Sequence, residues 1–291
     1  MKGGKVAFLI LLAIVAAVVI FTRPPIPQPE TYHGFADVRT MWGIPNALNV
    51  LSNIPFAIVG LIGLRFLGRG PTMDPDESFR PGAHTAFDTY RERPAYVLFF
   101  AGVFLTAFGS SFYHLLPSTP RLFWDRLPMA IAFMSLFATV ISERISIYWS
   151  RNLLLPLVAA GIASVVMWRL SEQRGAGDLR AYVLVQGFPM VALPLMMLLF
   201  KSRYTHGWML LLVVLSYGGA KALEQYDAQV YEALGHQVSG HSLKHVVAAF
   251  SCWLVVVMLR RRALAYEKPT IEGEADAETE TESETDAGES E

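Results

Sequence analysis

The sequence predicts an all-α polytopic membrane protein, with a core bundle of seven spanning helices and one extra N-terminal hydrophobic helix. Three observations predict it. Of 291 residues, 53% are hydrophobic and only 17% charged. Apolar runs of about 20 residues, the length that crosses a bilayer, recur along the chain. The net charge of −1 hides an asymmetry, because residues 269–291 hold ten Asp/Glu and no Lys or Arg. The rest is net basic, as loops of membrane proteins are. Cys252 is the single cysteine, which excludes an intrachain disulfide and a zinc–thiolate cluster. A metal site would have to use His and carboxylates.

Residues 1–34 form an N-terminal membrane anchor and Pro-rich linker. Val6 to Phe21 carries no charge and follows Lys2 and Lys5, the layout of a signal peptide. A run this long, with no clear small-x-small cleavage site before Arg23-Pro24-Pro25, favours an uncleaved anchor. The core domain covers 35–262. Its seven expected spans lie near 46–67, 94–114, 122–142, 152–170, 181–200, 207–226 and 241–260. Prolines 55, 128, 156, 189 and 194 fall inside them, which membrane helices tolerate when neighbours re-satisfy the freed carbonyls. The loop 68–93 is the longest, with Asp74, Asp76, Glu77 and Arg80. Residues 263–291 are expected to be an acidic, disordered cytoplasmic tail, with too little apolar surface to fold.

With the N-terminus in the cytoplasm, that side holds fifteen Lys/Arg and the other side seven, among them Arg121 and Arg126. The positive-inside bias therefore puts the C-terminus in the cytoplasm. In a bacterium the chain would be a multi-pass protein of the inner membrane.

This topology sorts the polar residues inside the spans, which are costly there and hence candidates for function. Ser110 and His114 close the outer end of one span, Asp125 opens the next, and His241 and His245 open the last. All five fall near the outer leaflet. His241 and His245 are i and i+4, so both project from one helix face and suit one metal ion. His114 would complete the three-imidazole set of some catalytic zinc sites. Asp125 could deprotonate a metal-bound water or orient a histidine from behind. The plainer alternatives stand beside these. A lone intramembrane His can be a helix–helix hydrogen-bond partner, and Ser110 in Gly109-Ser110-Ser111 can be a small packing residue.

The pattern Ser110-x-x-x-His114, Asp125-x-x-Pro128-Met129 and His241-x-x-x-His245, with Asn49-x-x-Ser52-Asn53 in the first core span, resembles the alkaline ceramidase family. That family belongs to the CREST superfamily of seven-helix membrane hydrolases, and the resemblance, to a prokaryotic-type member, covers about residues 35–262. It implies a ceramide-cleaving amide hydrolase with zinc (Zn2+) on His114, His241 and His245. It implies Asp125 as general base and Ser110 as oxyanion stabiliser. The chain departs from the family's calcium-binding acidic cluster. Asn46 stands where the family has a glutamate, and Asp37 is the only acid close by, with Glu30 further off. So thin an oxygen set predicts no calcium site. The lipid itself is not fixed by shared zinc chemistry.

Asn49, Ser52 and Asn53 are expected to bridge helices or support the site. Lys221 and Glu224, i and i+3 in their span, are expected either to compensate each other's charge or to touch a lipid headgroup or a water. Lys244 is expected to snorkel to the interface, and His33, His84, His206 and His236 to be loop or interface residues. The implied partners are a ceramide-like lipid substrate and membrane lipids, and nothing points to nucleic acid. Two other readings compete: a seven-helix receptor or sensor with a structural zinc site, and a transporter. A structural zinc site needs neither Asp125 nor Ser110, and transport sites tend to sit at midplane on broken helices.

Overall fold

The computed structural model describes residues 2–68 and 86–265. In chain order the helices are α1 (Lys2–Phe21), α2 (Ala47–Leu51), α3 (Ile54–Gly68), α4 (Arg93–Leu115) and α5 (Thr119–Arg144), followed by α6 (Ile147–Gln173), α7 (Arg180–Leu199), α8 (Met209–Gln225), α9 (Asp227–Ala233) and α10 (Gly240–Arg261). No β-strand occurs among the described residues. Seven stretches, α1 among them and α2–α3 taken as one, are long and apolar enough to cross a membrane. The chain is an integral multi-pass membrane protein. The stretch near 207–226, counted above as a span, forms α8, whose 17 residues are fewer than those of the other spans and lie at the short end of what crosses a bilayer. The acidic tail from residue 266 onward, and Asp74, Asp76, Glu77, Arg80 and His84 in the long loop, lie outside the described residues.

α1 leaves most of its apolar surface exposed and lies against α7. Both of its ends are fastened there. Lys5 Nζ donates to Leu199 O (2.7 Å), and Arg180 Nη1 to Phe21 O (3.0 Å) and Arg23 O (2.6 Å). The Pro-rich segment that follows is packed on the core rather than free. Leu179 N–H donates to Ile26 O (2.8 Å), Gln28 N–H to Glu172 Oε1 (3.2 Å), and Phe35 is buried.

α4, α5 and α10 carry the centre of the bundle. α4 and α5 approach most closely where Pro128, lacking an N–H, leaves the Trp124 carbonyl without its helical donor. Gly109 of α4 fills that place, since a Cβ there would lie 2.0 Å from Trp124 O. Gly102, two turns earlier on the same face, would meet Ala132 N and Pro128 O at 2.9 Å. The helices are thus in backbone contact beside Ser110, and their facing ends stay in register.

At the opposite end of the bundle α10 is tied down by buried charge. Arg262 pairs with Glu143 of α5, and Tyr96 of α4 also donates to Glu143. Arg262 further donates to Ala86 O (2.6 Å) and lies over the Tyr204 ring at 4.1 Å. Arg262 is therefore buried in a polar latch that locks the C-terminal end of α10 to α4 and α5. Arg144 is buried too, donating to Phe200 O (2.9 Å) and Gly207 O (3.0 Å).

Gly109→Ala should overpack the α4–α5 contact and cost about 1–3 kcal/mol. Thermal unfolding in detergent should register a lowered midpoint, and an unchanged midpoint would contradict the backbone contact. Glu143→Ala, which strands the Arg262 guanidinium, should be more damaging, at about 3–5 kcal/mol.

Candidate metal centre

The end of α4, the start of α5 and the start of α10 meet at one end of the bundle. There His114, His241 and His245 are all buried, and each offers a ring nitrogen within 4.8 Å of the others. His114 Nε2 and His241 Nε2 lie 3.3 Å apart. His114 Nδ1 is buried without a hydrogen-bond partner. Histidines serving only to join helices would be expected to satisfy their nitrogens on polar groups of neighbouring helices. These turn toward one another instead, and the arrangement could hold a metal ion.

The surrounding groups fix the rings. Ser52 Oγ lies 2.8 Å from His245 Nδ1 and 3.2 Å from Asn49 O. The hydroxyl has one proton, and the carbonyl can only accept, so the chain of bonds runs from His245 Nδ1–H to Ser52 Oγ and from Ser52 O–H to Asn49 O. His245 is thereby the Nδ1–H tautomer, with its Nε2 lone pair free for a metal, the usual backing of a metal-ligating histidine. The carbonyl is available because the chain breaks between α2 and α3. Asn53 N–H turns to Val50 O (3.2 Å), and Asn49 O is taken by Ser52 and by Asn53 Nδ2 (2.8 Å). The Asn49-x-x-Ser52-Asn53 stretch is thus a self-capped helix break that presents Ser52 to the histidines. Asn49 also accepts from Ser242 Oγ (2.8 Å) on α10. Asn53 Nδ2 bonds Asn49 O and Val50 O rather than any of the three rings.

His241 is held through its backbone. Its N–H donates to Asp227 Oδ1 (2.7 Å), and the other oxygen of Asp227 accepts from Ala36 N–H (2.9 Å). A carboxylate at the N-terminus of α10 is favoured by the helix dipole, and here it also ties the α1–α2 connection over the site. That connection delivers Phe35, whose ring centroid lies 4.3 Å from His241 and 4.8 Å from His114. Phe35 and Asp227 carry no motif signal in the sequence; only the fold brings them here.

Asp125 and Ser110 are both buried and face the same cavity. It is lined by His245 too, has a volume of about 250 Å³, and its walls are mostly apolar, including Val103, Phe133, Leu193 and Val213. Lys221 and Glu224 lie on the same cavity rather than against the rings, paired with each other. Lys244 also pairs with Glu224 instead of snorkelling to the interface. Both oxygens of Asp37 are taken by Arg39, at 2.9 and 2.8 Å. Burial pushes the Asp37 carboxyl up, but the Arg39 hydrogen bonds outweigh it and hold the group below its ordinary range. Of the other histidines, His33 bonds Tyr113 Oη (2.9 Å) and Thr119 Oγ1 (3.0 Å).

No protein-family model matches the chain, and no curated protein matches it.

Ser52→Ala would remove the support of His245 Nδ1. Metal affinity, measured by chelator competition, should fall about 10–100-fold while the fold is kept. Unchanged affinity would show that Ser52 does not orient a ligand.

Proposed function

We propose that the chain is a zinc-dependent intramembrane hydrolase that cleaves the amide bond of ceramide-like lipids to a sphingoid base and a fatty acid. The observation that carries this reading is the meeting of three buried imidazoles with a buried carboxylate, Asp125, and a buried hydroxyl, Ser110, on one mostly apolar cavity. The donor set fits zinc. Three imidazoles without thiolate are a catalytic zinc ligand set, and bonds of about 2.0–2.1 Å in a tetrahedron would space the nitrogens about 3.3 Å apart. The His114–His241 separation is 3.3 Å. Bound there, zinc would bring the pKa of a water to about 7 and polarise a carbonyl.

The chain's own residues supply the rest. The apolar walls take the acyl chain and leave the amide at the polar end. Asp125 accepts the proton of the attacking water and returns it to the amine as the C–N bond breaks. The products are a carboxylate and an amine, and water supplies all added atoms. The Ser110 hydroxyl donates to the oxyanion that develops on the carbonyl oxygen. The bias of Lys and Arg between loops supports a cytoplasmic C-terminus and a site near the outer leaflet.

The receptor reading keeps the three histidines but leaves Asp125 and Ser110 without work. The test is release of fatty acid from ceramides by the purified protein in detergent. Asp125→Asn should lower turnover about 10²–10⁴-fold, and Ser110→Ala about 10²–10³-fold, with zinc retained in both. Tight zinc binding with no hydrolysis across a broad panel of lipid amides would favour the receptor.

A further inference from the structure

The cavity holds more positive charge than an uncharged lipid amide needs. Arg126, Lys221 and Lys244 line it, against only two carboxylates, Asp125 and Glu224. One carboxylate, Glu224, serves both lysines. Arg126 has no carboxylate within ion-pairing distance among the described residues. Its Nη2 donates to Gln28 Oε1 (2.7 Å), and its guanidinium is enclosed by the rings of Trp168 (4.3 Å), Tyr182 (4.8 Å) and Tyr32 (5.4 Å). Its Nη1 is buried with no partner at all, in a side chain only 5% exposed. A buried arginine in a membrane helix, one donor unused, is costly unless an anion completes it.

We infer that Arg126 and Lys244 form an anion subsite of the same cavity, and that the preferred substrate carries a carboxylate on the amine side of its scissile amide, as an N-acyl amino acid does. The apolar walls are uncharged and suit the acyl chain. The cations occupy the polar end beside Asp125, where the other substituent of the amide must lie. A carboxylate there would accept from Arg126 Nη1 and neutralise the excess charge. A hydroxyl of a neutral amino alcohol would do only the first. Hydrolysis would then consume water and yield a fatty acid and a free amino acid. The substrate class rests on the amidase reading; the anion subsite does not.

The test uses the full-length protein in detergent and three probes of one chain length: N-dodecanoylglycine, N-dodecanoylethanolamine and dodecanoate. Binding is measured by calorimetry on metal-free protein, and hydrolysis on zinc-loaded protein. One charged hydrogen bond predicts that the glycine conjugate binds about ten-fold tighter than the ethanolamine conjugate and shows the lower KM. Lys244→Gln and Arg126→Gln should each bring that ratio toward one, with the glycine conjugate losing more affinity than the ethanolamine conjugate. A wild-type ratio at or below one, equal losses for both conjugates in Lys244→Gln, or dodecanoate binding as tightly as the glycine conjugate would each overturn the inference. Hydrolysis of the neutral conjugate without preference would leave the amidase reading intact. Preferential binding with no hydrolysis of either would leave the anion subsite intact and remove the amidase.

Discussion

Holding three imidazoles together inside an apolar bundle is the constraint on which the other features depend. His114 closes α4 and His241 opens α10, and their Nε2 atoms stand 3.3 Å apart. That contact requires the end of one helix and the start of another to be fixed to within a fraction of a turn. Buried polar groups are tolerated only when their hydrogen bonds are met, so each neighbouring element contributes one. α2 breaks to present Ser52, Asp227 fixes the first turn of α10, and Gly109 lets α5 bring Asp125 to the same cavity as Ser110. Phe35 closes the rings from above. The apparently scattered polar motifs are parts of one support.

Charge placement follows the same rule at both ends of the bundle. Opposite the histidines, Glu143 and Arg262 are buried together and joined by Tyr96, so the far end of α10 is held as firmly as the near end. Near the histidines the matching is incomplete, and Arg126 keeps a donor without an acceptor. Arg144 is likewise buried without a carboxylate, but it is held by the Phe200 and Gly207 carbonyls away from the cavity, whereas Arg126 lines the cavity. A structural latch and a recognition site thus differ in whether the charge finds its partner within the chain.

Much of this was legible in the sequence, for physical reasons. Apolar runs of bilayer length mark helices directly, and the spacing of four between His241 and His245 puts both rings on one face whatever surrounds them. Lys/Arg bias predicts that Ser110, His114, Asp125, His241 and His245 share one side, and the structure brings all five to one end of the bundle. The role of Ser52 was half visible: its motif is readable, but its contact with His245 spans 193 positions of chain. Phe35 and Asp227 were invisible, since a loop aromatic and a helix-terminal acid look the same wherever they pack. The burial of Arg126 and Arg262 was not visible, because counting Lys and Arg by side says nothing about what each one packs against. Burial among rings or beside a carboxylate leaves no local signature.

The central claim is that the three histidines together hold a metal. X-ray absorption at the metal edge, on protein purified in detergent without added metal, tests it most directly. The account predicts zinc with three imidazole nitrogens at about 2.0–2.1 Å and no sulfur, and loss of that signal in His241→Ala. Folded protein that carries no metal, or a metal whose nearest shell is unchanged in His241→Ala, would contradict it.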